Sequence, residues 1–188
     1  NAIHLPVQSG SNRILKEMNR LHTREEYFEL IDNARKILPD CSISQDMIIG
    51  FPTETEDDHK DTMSLMEYVK YDFGYMFTYS ERPGTMAERK MEDDVPEEVK
   101  KRRLSEVIAL QREHCQERTQ RHLGKVQEIL IESTSKKSDE HFMGRNSQNT
   151  VAVFPRENYK IGDFVMVRMD ECTSATLIGE AVGYSENN

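Results

Sequence analysis

The chain has 188 residues, with 25 Lys+Arg against 34 Asp+Glu, a formal charge of −9 and no Trp. Its length suits one ordinary domain or two small ones, and 36% hydrophobic content is enough to build a core. No apolar run approaches the roughly 20 residues of a membrane span, and the acidic balance excludes strong, indiscriminate binding to nucleic acid. The chain reads as soluble, with any RNA contact confined to a local patch.

The opening Asn1-Ala2 reads as a cloning remnant ahead of a piece of a longer protein, and the strand-like run Ile3–Val7 follows. Thr23-x-x-Glu26 is a capping box, with Phe28, Ile31, Ala34 and Leu38 at helical spacing and Pro39 as the stop. A strand over Cys41–Ile49 and a Gly50-Phe51-Pro52 turn come next, and Thr55 caps a helix with Met63, Met66 and Val69 on one face. The run Phe73–Ser80 is apolar or aromatic at most positions, the pattern of a strand covered on both faces. Strands alternating with helices of this length predict βαβ units, a parallel sheet and an α/β fold for residues 3–95.

Pro96 with Glu97 and Glu98 starts a long connecting helix over residues 96–124. Its inward side is predicted to carry Val99, Leu104, Ile108 and Cys115, and the basic run Lys100–Arg103 reads as a solvated face. After Gly124 the pattern changes to short β-rich runs: Val126–Glu132, His141–Gly144, Thr150–Phe154, Phe164–Met169 and Thr176–Tyr184. They predict a small antiparallel barrel of the OB kind over residues 125–188.

On the predicted strand Cys41–Ile49, side-chain parity puts Ser44, Asp46 and Ile48 on one face, with Gly50 following in register. Asp46 can accept hydrogen bonds from a ribose diol, Ile48 can lie on a purine, and Gly50 lets backbone approach a ligand. Glu54 lies just beyond, at the strand end where parallel barrels bind ligands. A buried aspartate that caps a loop or helix fits the same residues. Gln8, at the end of the first strand, can reach a ligand or belong to a plain βα turn capped by Ser11. In the tail, Lys136, Lys137, Arg145, Asn146 and Asn149 accompany Phe142, either as a phosphate-and-base patch or as a solvated loop. The three cysteines, Cys41, Cys115 and Cys172, have neither CxxC nor CxxxCxxC spacing. They fit a reducing compartment and cannot hold a thiolate cluster by themselves.

Four strings, in order, carry a resemblance: His4-Leu5-Pro6-Val7-Gln8-Ser9-Gly10-Ser11; Met18-Asn19-Arg20 with His22-Thr23; Asp46 to Pro52 with Glu54-Thr55; and Tyr79-Ser80-x-Arg82-Pro83-Gly84-Thr85. Together they resemble the radical S-adenosylmethionine methylthiotransferases, in the branch that modifies tRNA, and the last 60-odd residues resemble the TRAM domain that closes those enzymes. The resemblance implies the C-terminal half of a partial TIM-like βα barrel followed by TRAM. It implies S-adenosylmethionine and two 4Fe–4S clusters as cofactors, an electron donor, tRNA as partner and a cytoplasmic location. A deoxyadenosyl radical would take hydrogen from C2 of N6-isopentenyladenosine beside the anticodon, and a methylthio group would be installed there. Gln8, Asp46, Ile48, Gly50 and Glu54 would then serve the cofactor, and Lys136 and Arg145 the RNA.

The departures are as informative. The family's CxxxCxxC and auxiliary-cluster cysteines are missing, so the chain is expected to be inactive alone, with no catalytic residue or metal ligand of its own. Thr53 stands where the family most often has glycine, which is expected to stiffen the turn. A half-barrel is expected to expose a strand edge and an apolar face, and so to self-associate as a two-fold dimer. Two alternatives are a ribosomal-protein aspartate methylthiotransferase and a non-catalytic RNA-binding module.

Overall fold

The computed structural model describes residues 1–186. It forms two compact units, one of residues 3–39 and 43–112, the other of residues 1–2, 40–42 and 113 onward.

The first unit is built on a three-stranded sheet of order β1-β2-β3, with β1 at Ala2–His4, β2 at Ser42–Ile49 and β3 at Phe73–Thr78. β2 and β3 are parallel, with Ser44 opposite Phe73, Asp46 opposite Tyr75 and Ile48 opposite Phe77. β1 stops short of the predicted Val7 because Pro6 has no N–H to give to a ladder. The chain nevertheless stays beside β2: Leu5 N–H donates to Ser44 O at 2.8 Å and Gln8 N–H to Asp46 O at 2.9 Å.

Helices α1 (Asn12–Glu17), α2 (Arg24–Ile37) and α3 (Glu56–Val69) make the crossovers. Thr23 and Glu26 form the predicted capping box of α2, and Thr55 and Asp58 form a second one at α3. Asp58 ties the two helix starts of this region together. Its carboxylate accepts from Ser11 Oγ, the N-cap of α1, at 2.6 Å and is paired with Arg13. Burial works to raise the Asp58 pKa, but the hydrogen bonds from Arg13, Ser11 and Thr55 outweigh it and hold the group well below the usual carboxylate range.

Ile43, Gln45, Met47 and Ile49 of β2 are fully buried, and join Tyr27, Ile31, Leu65, Met66 and Val107 on one side of the sheet. Its other side is open. Phe73, Tyr75 and Phe77 of β3 are 49%, 52% and 58% exposed, so β3 is covered on one face and not, as its apolar sequence suggested, on both.

A short helix α4 (Met86–Lys90), capped by Thr85, precedes the long α5 (Glu97–Gln120). The boundary between the units falls inside α5, after Arg112, and not at either end of the connecting helix. The side of α5 turned to the core is also not the predicted one. Lys100, Arg103, Val107 and Gln111 are buried, while Leu104 and Ile108 are only partly so. The basic run is therefore half internal. Each buried cation has carboxylate partners, which allow a charge to sit inside.

In the second unit, β4 (Val126–Ser135), β5 (Ser138–Arg145), β6 (Val151–Pro155), β7 (Phe164–Cys172) and β8 (Thr176–Tyr184) close into a barrel of order β4-β5-β6-β8-β7. All pairs are antiparallel except β6–β8, which is parallel, so the barrel is mixed rather than wholly antiparallel. That one parallel pair closes a five-stranded Greek-key barrel of the OB type. Alternate side chains fill it, among them Ile129, Ile131, Phe142, Phe154, Val165 and Val167.

Candidate functional site

The open side of the first unit's sheet leads into a cavity of about 650 Å³. Its sheet wall is Gln8, Asp46 and Ile48; Phe51, Phe77 and Tyr79 add an aromatic side. The end of α1, through Met18 to Arg20, and the loop into α4, through Arg82 and Thr85, complete it.

Gln8 is held in the left-handed region, with φ 73°. It is fixed there by its N–H to Asp46 O and by Ile48 N–H to its own carbonyl at 3.0 Å. A non-glycine residue in that conformation carries strain that the surrounding bonds must offset. Asp46 remains available: its side chain is 35% exposed, with His4 Nε2 3.4 Å from Oδ2. The His4 ring is in turn 3.0 Å from Ser44 Oγ on the same strand face. Phe51 meets Tyr79 edge-on at 5.2 Å between ring centroids.

Gly50 and Glu54 are not brought to this cavity. At Gly50, with φ +72°, a Cβ would lie 2.4 Å from Lys100 Cγ, so the glycine makes room for a buried lysine stem. Lys100 Nζ, 1% exposed as a side chain, donates to both Asp93 carboxylate oxygens at 2.6 Å and lies 5.5 Å from the Tyr79 ring centroid. Glu54 Oε1 accepts from Gly50 N–H at 3.0 Å and from Arg103 Nη1 at 2.9 Å. Burial pushes the Glu54 carboxyl upward, and the Gly50 N–H and Arg103 offset this only in part. These two residues shape the turn behind the cavity wall.

Thr53 also takes a left-handed φ, 70°, the conformation for which glycine is best suited. Its N–H donates to Asp94 Oδ1 at 2.6 Å, and its hydroxyl accepts from Arg13 Nη1 at 3.0 Å. Side-chain bonds thus hold a conformation that the backbone alone disfavours.

The two barrel cations proposed for RNA do not come together. Lys136 lies in the turn between β4 and β5, whereas Arg145 ends β5. Arg145 lies 3.3 Å from the Glu132 carboxylate and donates to Asn149 O at 3.0 Å. Phe142 is a core residue, 1% exposed, and has no free face on which a base can stack. Among the described residues no group of three or more His, Cys, Asp or Glu is arranged to hold a metal, and no disulfide joins the three cysteines.

Residue reasoning did not find the remaining wall. Met18, Arg20, Phe77, Tyr79 and Arg82 come from two stretches far apart in the chain, residues 18–20 and 77–82, and no spacing rule links the two. Several of them do fall within the strings that carried the resemblance.

Residues 1–66 match the radical SAM superfamily and residues 120–182 match the TRAM domain. The chain is 69% identical over 188 residues, its whole length including Asn1 and Ala2, to the tRNA-2-methylthio-N(6)-dimethylallyladenosine synthase of Christiangramia forsetii. It is 68% identical over 186 residues to the synthase of the same name from Flavobacterium johnsoniae. It spans 39% of the length of each of these relatives. In fold it is similar to the radical SAM enzyme coproporphyrinogen III oxidase (HemN) of Escherichia coli, at TM-score 0.52 and 18% identity over 89% of this chain and 41% of that one. The chain thus carries a radical SAM match followed by a TRAM match, and along its length it is similar to part of these synthases.

Proposed function

We propose that this chain is the cofactor-facing and TRAM portion of an enzyme that methylthiolates C2 of N6-isopentenyladenosine next to the tRNA anticodon. The observation that carries this reading is the convergence of Gln8, Asp46 and Ile48 on one cavity in a chain so close to the synthases.

The residues present fit the adenosine end of S-adenosylmethionine. The Asp46 carboxylate accepts from the ribose hydroxyls, Ile48 offers apolar surface to the purine, and the Gln8 amide supplies a second polar contact. Phe51, Phe77 and Tyr79 keep water from that end. Gly50 and Glu54 act one layer back, by setting the turn through Lys100 and Arg103. When bound, S-adenosylmethionine and its iron–sulfur cluster supply the one-electron chemistry that activates an unreactive C–H bond. The protein residues bind, orient and shield.

In this reading the first unit is the C-terminal half of a βα barrel. The cluster ligands for two 4Fe–4S centres and the contact for an electron donor lie in parts of the protein other than the residues described. Lys136 and Arg145 contribute to tRNA affinity from the TRAM barrel in the cytoplasm. Taken by itself, the 188-residue chain pairs with a second copy through the open aromatic face of β3; in the full-length protein that face is left to the ligands. No helix among the described residues is long and apolar enough to cross a membrane.

Mass spectrometry of tRNA nucleosides from a strain lacking the gene tests the activity. The 2-methylthio nucleoside should vanish and N6-isopentenyladenosine accumulate. Unaltered tRNA contradicts the proposal, and an unmodified ribosomal-protein aspartate alongside it would point to the sister branch.

A further inference from the structure

The cavity rim carries two arginines with no carboxylate partner among the described residues. Arg13, Arg102, Arg103, Arg145 and Arg168 are all paired with carboxylates. Arg20 and Arg82 line the cavity, are exposed, and form no ion pair among the described residues, although acids outnumber cations 34 to 25 in the chain. Glu17, the acid at this rim, is paired with neither.

Their backbones, by contrast, are fixed. Arg20 follows the end of α1, where Asn19 adopts φ 56°. Asn19 N–H donates to Lys16 O at 3.0 Å and Arg20 N–H to Leu15 O at 2.8 Å, the paired bonds of a Schellman cap. Arg82 opens the turn Arg82-Pro83-Gly84-Thr85, with Gly84 at φ +85°. Thr85 gives both its N–H, at 3.2 Å, and its hydroxyl, at 2.9 Å, to Arg82 O. Proline followed by a left-handed glycine is the type II pattern. Two unpaired guanidiniums are thus presented from rigid turns on separate segments of one cavity.

We infer that Arg20 and Arg82 form a phosphate-binding rim that grips single-stranded RNA on either side of a base inserted into the cavity. The inference rests on the proposed function and deepens it by saying where the RNA backbone sits. Guanidinium forks suit phosphate oxygens, and the preset turns reduce the ordering needed on binding. Phe77 and Tyr79 in the same cavity give a splayed base an aromatic surface.

The test uses the full-length gene product, with fluorescence anisotropy of a labelled single-stranded anticodon-loop RNA across a salt titration, and calorimetry with S-adenosylhomocysteine in parallel. Arg20→Ala with Arg82→Ala should reduce the log–log salt slope by about 1.4, roughly 0.7 for each lost single-strand phosphate contact. Arg20→Lys with Arg82→Lys should restore it, and S-adenosylhomocysteine affinity should not change. An unchanged slope, or a parent protein without salt-dependent RNA binding, overturns the rim. So does a loss of S-adenosylhomocysteine affinity with RNA binding intact, which would assign the arginines to the cofactor carboxylate. A parent that fails to bind S-adenosylhomocysteine while the slope still responds would sink the cofactor reading and leave the rim standing.

Discussion

The two units solve the same problem, a sheet with edges and faces to hide, in opposite ways. The barrel closes β4 on β7, removes its edges, and turns Phe142 and Phe154 into a core. The three-stranded sheet keeps β1 and β3 as edges and leaves Ile48 and the aromatics of β3 on an accessible face. One unit spends its apolar residues on stability, while the other keeps several of them available to a ligand or partner. The same division runs along α5, whose buried cations lock the turn behind the cavity.

Substitutions on α5 should have the largest effects. Arg103→Leu leaves the Glu54 carboxylate buried without its partner and should cost about 3–5 kcal/mol in urea unfolding. Arg102→Leu, whose side chain is 45% exposed between Glu56 and Glu106, should cost about 1 kcal/mol or less. Equal losses would mean that the buried pair is no more important than the surface pair.

The aromatics sharpen the contrast between units. Phe142→Ala should destabilise the barrel by about 3–5 kcal/mol. Phe77→Ala should change stability by about 0.5 kcal/mol or less and weaken self-association. Light scattering at micromolar concentration should find a dimer of the 188-residue chain; a clean 21.9 kDa monomer would show that the open face does not pair copies.

Gly50→Ala combines a left-handed φ with the Lys100 stem, and should lower stability by about 1–3 kcal/mol. Measured in a Lys100→Ala background, which carries its own cost from the lost Asp93 pair, the Gly50→Ala penalty should shrink toward its backbone part. A neutral single substitution would show that the turn relaxes freely.

Asp58 gives a pH signature. Its folded pKa lies below the ordinary value near 3.8, so the native state binds fewer protons than the unfolded chain through that range. The stability it contributes is present above the unfolded pKa and lost as pH falls toward the folded one. Asp58→Asn should lower stability by about 1 kcal/mol at neutral pH, as charge-assisted bonds become neutral ones, and flatten the acid limb of the stability curve. An unaltered limb would mean that other carboxylates carry the acid response.

What the sequence made legible follows from where local rules apply. The Thr23–Glu26 capping box, the Thr55 cap, the parity of β2 and the five barrel strands depend on neighbours in the chain, and each could be read there. The buried side of α5 could not, because polar Lys100, Arg103 and Gln111 occupy positions that an apolar pattern would normally mark. Their burial depends on Asp93, Glu54 and Tyr71, the last of which accepts from Gln111 Nε2 through its carbonyl. β3 misled for a different reason: its aromatics Phe73, Tyr75 and Phe77 share one parity, and this bulky apolar side is the exposed one, while Gly74, Met76 and Thr78 face the packed side. The cavity was half legible. Gln8, Asp46 and Ile48 followed from strand position, whereas the arginine rim is assembled by a helix cap and a turn far apart in the chain.

On the proposed function, the face of Asp46 and Ile48, with Gln8 beside it, holds the adenosine of the cofactor. Calorimetry of S-adenosylmethionine binding to the full-length gene product and its Asp46→Ala variant tests this most directly. Loss of a charge-assisted hydrogen bond should weaken binding by about 1.5–3 kcal/mol, roughly ten- to a hundredfold, with the thermal unfolding profile retained. Equal affinities in the two proteins would contradict the claim and return Asp46 to a purely structural role beside His4.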